Sequence, residues 1–184
     1  GSSVELRRRA IAQLREFLVL CPEDPLAEEV AFAWATTLLE AKDLEGALAV
    51  AQAALRSYAD SPFEDEQLYT VGYAQFALGR HEEAFAALQK VAQGTFAARG
   101  GGRTESESKW HAVYLQGQIW HARGETEKAL LAYDQVKDRF TDAVEASDYF
   151  RQKSISLDEV STFATGAPVE IAISYRNLER AQVQ

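Results

Sequence analysis

The chain has no methionine, one cysteine and four prolines among its 184 residues. Without an initiator, and with Gly1-Ser2-Ser3 reading as a tag remnant, it is expected to be a piece of a longer protein. A lone cysteine cannot form an internal disulfide. Cys21 follows Leu18-Val19-Leu20, which suits a helix-end packing residue better than a nucleophile. Scarce proline and abundant alanine lean helical. No apolar run approaches the ~20 residues that cross a bilayer, so membrane insertion is not expected of this segment. Basic residues are also short: 19 Lys and Arg stand against 28 Asp and Glu, a net charge of −9. That balance argues against nucleic acid, because neutralising phosphates needs a positive face. The one basic run, Arg7-Arg8-Arg9, fits a solvated helix face.

What is present is a repeat. Ala10, Ala47, Ala84 and Ala129 lie 37, 37 and 45 residues apart. Each of the last three follows a short charged or glycine-containing turn. Twelve residues earlier stands a small residue, Ala35, Gly72 or Gly117. Four and seven residues later come Ala51 and Ala54, Leu88 and Val91, Tyr133 and Val136. Intervals of three, four and seven put residues on one helix face. Small residues on facing helices let two helices approach closely, while the larger neighbours fill the space between hairpins. Gly79 and Gly124 sit where the first helix of a pair must end in a left-handed turn; Lys42 takes that place in the first unit.

Val113, Gly117, Trp120, Gly124, Ala129, Tyr133 and Val136 resemble the tetratricopeptide repeat (TPR) family, and the third unit carries the fullest pattern. The second departs at Gln75, where a large apolar residue is usual. Ala10, Leu14, Phe17 and Pro22 repeat the second-helix pattern at the start of the chain. The resemblance implies a mainly α, right-handed solenoid of about seven or eight helices over residues 4–152. Trp34, Trp110 and above all Trp120 are expected to pack between successive helices. The stretch Gln93 to Ser108, with Gly100-Gly101-Gly102, reads as a flexible insertion loop.

The pattern changes after Phe140. Asp142 to Gln152 fits one more short helix. Ile155 and Leu157, then Val169, Ile171, Ile173 and Tyr175, alternate at period two, with Thr165-Gly166-Ala167-Pro168 as a turn. Residues 153–184 are therefore expected to form a β-hairpin. It resembles the opening strands of an immunoglobulin-like or macroglobulin-type domain of bacterial envelope proteins. That leans the compartment, otherwise open, toward the periplasm. An unpaired hairpin edge offers a route to a homodimer.

Chemistry is sparse. Gly100-Gly101-Gly102-Arg103 follows no strand and ends in no Gly-Lys-Ser/Thr, so it is not a phosphate loop. His81-Glu82-Glu83 lacks the second histidine of a zinc-protease helix. His111 and His121 stand ~15 Å apart along one helix, too far to share a metal. The acidic groups Glu28-Glu29 and Glu64-Asp65-Glu66 sit at helix starts, where the helix dipole favours them. Neither enzyme activity nor a cofactor nor a metal is expected.

A protein or peptide partner is. The resemblance implies that the first helix of each hairpin lines a concave groove. By register the groove-facing residues are Phe32, Thr36 and Leu39, then Glu66, Tyr69, Tyr73 and Phe76, then His111, Tyr114, Gln118 and His121. Aromatic residues of this kind are enriched at binding hot spots. The strip lacks the basic clamp by which chaperone-binding TPR domains hold a terminal carboxylate, so an apolar or aromatic, neutral-to-basic segment is expected. Two alternatives stay open. The strip is core, covered by the chain itself, or the array is a spacer that positions a β domain and binds nothing.

Overall fold

The units marked by Ala47, Ala84 and Ala129 each fold as a helix pair, and Ala10 lies on a single helix before them. The computed structural model describes residues 3–157 and 173–177. Its elements are α1 (Ser3–Leu20), α2 (Ala27–Glu40), α3 (Leu44–Ser57), α4 (Glu64–Ala77), α5 (His81–Gln93), β1 (Thr95–Ala97), β2 (Arg103–Glu105), α6 (Lys109–Ala122), α7 (Thr126–Val136), α8 (Thr141–Arg151), β3 (Ser154–Leu157) and β4 (Ile173–Arg176). Every helix packs on the next one in sequence, and the first helices of successive pairs also touch, α2 on α4 and α4 on α6. This is the layout of a helical-repeat solenoid. Among the described residues no helix is long and apolar enough to cross a membrane.

The marker residues form the seams. Ala35, Ala47, Ala84 and Ala129 have no exposed surface. A methyl group added at Gly72 would lie 2.7 Å from the Leu88 side chain, and one at Gly117 would lie 2.7 Å from the Tyr133 ring. Both are well inside van der Waals contact, so only glycine permits these close approaches. Leu88 and Tyr133, at 0 % and 1 % exposure, are thereby sealed in the core.

All three hairpin turns have one geometry. Arg80 N–H donates to Gln75 C=O at 2.8 Å, Glu125 N–H to Trp120 C=O at 2.9 Å, and Asp43 N–H to Leu38 C=O at 3.0 Å. This wide loop closes a helix when the preceding residue is left-handed. Gly79 and Gly124 adopt it at φ 76° and 73°, and Lys42 does so at 63°. The first unit thus keeps the turn without the glycine. The turns also tie neighbouring units: Arg80 pairs with Glu45, and Arg123 with Glu82 at 2.7 Å. Glu45 and Glu82 both stand two residues before the marker alanine.

Two expectations need correction. The 93–108 insertion is not a featureless loop: β1 and β2 pair antiparallel, with Phe96 opposite Thr104. Phe96 is 5 % exposed and joins the core, which anchors the hairpin. One buried aromatic in a polar, glycine-rich stretch was too weak a signal to read as a strand. The second correction concerns Cys21, which follows the end of α1 and is exposed, so it is not a packing residue. Trp110 and Trp120 pack on the core shared by α5, α6 and α7, and all three tryptophans, Trp34 included, are half-buried.

At the end of the chain β3 and β4 pair antiparallel, placing Ile155 opposite Tyr175 and Leu157 opposite Ile173. The expected turn at 165–168, and Val169 and Ile171, lie outside the described residues, as do Gly1 and Ser2. Ser3 already belongs to α1.

Candidate functional site

α4 is the most enclosed helix. Eight of its residues are buried, including the polar Asp65, Gln67, Thr70 and Gln75. Against that background Glu66, Tyr69, Tyr73 and Phe76 stand out as a half-buried line at spacings of three, four and three. They share one helix face, turned from the Gly72 seam. Phe32, Thr36 and Leu39 on α2 are half-buried in the same way.

These residues touch one another. The rings of Tyr69 and Tyr73 are 6.4 Å apart. Phe32 stacks on Phe63 at 5.4 Å, and the Arg99 guanidinium covers the Phe63 ring at 4.5 Å. Phe76 stacks on His81 at 6.0 Å. The 93–108 insertion thereby brings a cation to the start of α4. Tyr69 stands 6.4 Å from His111 of α6, which joins the two helices across the strip.

The α6 set has a different setting. His111 meets the Phe140 ring edge-on at 4.8 Å, and Tyr114 stacks on Phe140 at 5.2 Å. Gln118 Nε2 donates to Tyr114 Oη at 3.0 Å. His121 lies 4.5 Å from Phe150, and its Nδ1 is 3.5 Å from Tyr133 Oη. Both histidines remain exposed at their outer edges. Phe140, at the start of α8, and Phe150, near its end, thus cover much of this stretch.

Sequence reasoning missed Phe63, Phe140, Phe150 and Arg99. A signal existed for two of them: Phe63 and Phe140 each stand immediately before a first helix of the array. An aromatic residue there packs back over the preceding helix start.

Burial shapes the electrostatics. Glu66 is raised to about 7, first by desolvation, then by a hydrogen bond with the Asp65 carboxyl; its own backbone N–H and the charge of Arg99 act the other way. Its Oε2 is enclosed without a hydrogen-bond partner. Burial pushes Tyr133 up to about 12, with Tyr114 adding to the effect. Tyr69 is raised by burial and by Tyr73, and Tyr114 by burial and by Asp142. These tyrosines are neutral hydrogen-bonding and packing groups at physiological pH. Among the described residues no three His, Cys, Asp or Glu side chains gather as metal ligands would.

Comparison with known proteins agrees with the fold. Residues 68–93, the α4–α5 hairpin, match the tetratricopeptide repeat family. The sequence match thus falls on the second unit, with its Gly79 turn and 37-residue spacing, not on the third. Two solved structures, described as MamA and as MamA protein, are similar over 81 % and 79 % of this chain and 82 % and 73 % of their own. Each superposes with a TM-score of 0.60 at 19 % identity. No curated protein matches the sequence. The chain is a TPR-like helical-repeat solenoid.

Proposed function

We propose that this chain is a non-catalytic interaction scaffold that receives a peptide segment along α2 and α4. One observation carries the reading. Phe32, Tyr69, Tyr73 and Phe76 stay half-buried on the face away from the seams, although α4 is otherwise almost wholly enclosed. Large rings held by their neighbours offer contact area at small conformational cost. The strip is aromatic and apolar, and its one acidic side chain, Glu66, is raised to about 7, so an apolar or aromatic, largely neutral segment suits it; in that reading His111 and Tyr114 form its far wall.

A spacer that carries the β3–β4 segment and binds nothing is the competing reading. The coverage of the α6 stretch by Phe140 and Phe150 favours it. Affinity capture with the Tyr69→Ala/Tyr73→Ala double variant separates the two, once circular dichroism shows that the helices persist. Loss of a specific partner that the unaltered chain retains supports the groove. Capture of no specific protein by either chain would leave the spacer, and the same specific partner on both chains would move the binding surface off this strip.

A further inference from the structure

A second groove lies on the opposite side of α6 and takes no part in the strip described above. Its floor is α6, with Trp110, Val113 and Trp120; its walls are the end of α5 and the length of α7, with Lys128 and Leu131. It encloses about 600 Å³. The 93–108 insertion separates α5 from α6 in sequence, and α7 leaves Leu131 67 % exposed over the opening.

Two properties distinguish it from the rest of the surface. The first is its fixed aromatic content. Trp120 meets Phe85 edge-on at 4.7 Å and lies beneath Lys128 Nζ at 4.4 Å and the Arg123 guanidinium at 5.3 Å. Trp110 lies beneath Lys109 Nζ at 5.0 Å and Arg139 at 4.7 Å. Cations over both indoles restrain the rings and leave part of each open. The second property is charge. The lining holds Lys109, Lys128 and three glutamines but no carboxylate, in a chain of net charge −9. The partners of the two lysines, Glu105 and Glu125, stand outside the lining. The corresponding groove between α1 and α3, around Leu18, Trp34 and Val50, has no charged lining at all.

We infer that the α5–α6–α7 groove is a docking site for an acidic protein segment that inserts an apolar side chain between Trp110, Trp120 and Leu131. Its carboxylates would meet Lys109 and Lys128, and its apolar anchor would displace water from the indole faces. An acidic peptide suits this groove better than a nucleic acid, because the cations at the two indoles are four, three of them already ion-paired, too few to neutralise a run of phosphates in a chain of net charge −9.

The test uses the full chain and three probes: a synthetic peptide of Glu, Asp, Leu and Phe, its counterpart with Lys for every acid, and a short oligothymidylate. The indole N–H resonances of Trp110, Trp120 and Trp34 are followed by NMR. The acidic peptide should shift the first two and leave Trp34, which lies in the uncharged groove, in place. Lys128→Glu and Leu131→Glu alter exposed side chains and should each weaken binding roughly tenfold with the fold intact. Tyr69→Ala/Tyr73→Ala should bind as before, which keeps this site distinct from the α2–α4 strip. The inference is overturned if the acidic peptide moves neither indole, if the lysine peptide or the oligonucleotide binds as well, or if both groove variants bind undiminished.

Discussion

The α2–α4 and α6 stretches of the strip share one repeat register and differ in what covers them. On α2 and α4, Leu39, Tyr69, Tyr73 and Phe76 pack against the core, and the rings make local contacts: Phe32 with Phe63, Tyr69 with Tyr73 and His111, and Phe76 with His81. On α6, His111 and Tyr114 contact Phe140, just before α8, and His121 contacts Phe150 near the end of α8. The same register thus gives a half-buried face without an added cover in one unit and a face met by two further phenylalanines in the next, where His111 and His121 nevertheless stay exposed. The unit that follows decides which, so register alone does not define a binding groove.

The sharpest way to break this comparison is to remove the floor of the covered stretch. Tyr133→Ala deletes a ring that is 1 % exposed and should cost ~3–5 kcal/mol in urea unfolding. A loss below about 1 kcal/mol would mean that the α6 stretch does not rest on Tyr133. Phe140→Ala should make the two stretches alike. It is half-buried, so a cost of roughly 2 kcal/mol is expected, with faster amide exchange concentrated in α8. Exchange that rises equally throughout the chain would show that α8 is not a separable cover.

A smaller effect contrasts the turns beneath the two stretches. Lys42→Gly should stabilise by about 1 kcal/mol, and Gly124→Lys should destabilise by about as much, because only the lysine pays for a left-handed backbone. Equal and negligible changes in thermal midpoint would rule out turn strain as a difference between units.

The smallest effect is that of Glu66. Its folded-state value lies above the ordinary carboxylate range, so the protonated form is favoured by folding. Its stabilising contribution is complete below about pH 4.5 and is lost as pH rises toward about 7. Glu66→Gln should flatten that part of the stability–pH profile, read from urea midpoints at several pH values. A profile unchanged by the substitution would place the pH dependence elsewhere. Solvent reaching the half-exposed carboxylate keeps this effect modest.

Much of this was legible in local spacing. Ala47, Ala84, Ala129, Gly72 and Gly117 reported the seams because close helix approach admits only small side chains. Gly79 and Gly124 reported turns because of their backbone demands. Lys42 concealed an identical turn, since a hydrogen-bonded loop can hold a residue whose intrinsic preference opposes it. Trp120 is expected from its place in the repeat to pack between successive helices, and it does so against Phe85 of α5. It is half-buried because α5 and α7 leave a groove beside it, so Trp120→Ala should fall short of the full-burial cost.

The sequence by itself determined the helix pairs, their seams and their turns, because these depend on contacts at fixed short separations along one chain. Only the tertiary structure decided that Phe140 and Phe150 cover the α6 face, that Phe96 pins the insertion as a hairpin, and that Trp110 and Trp120 line an open, carboxylate-free groove. Those outcomes depend on which distant surfaces meet. A helix face carries the same residues whether or not another helix arrives to cover it.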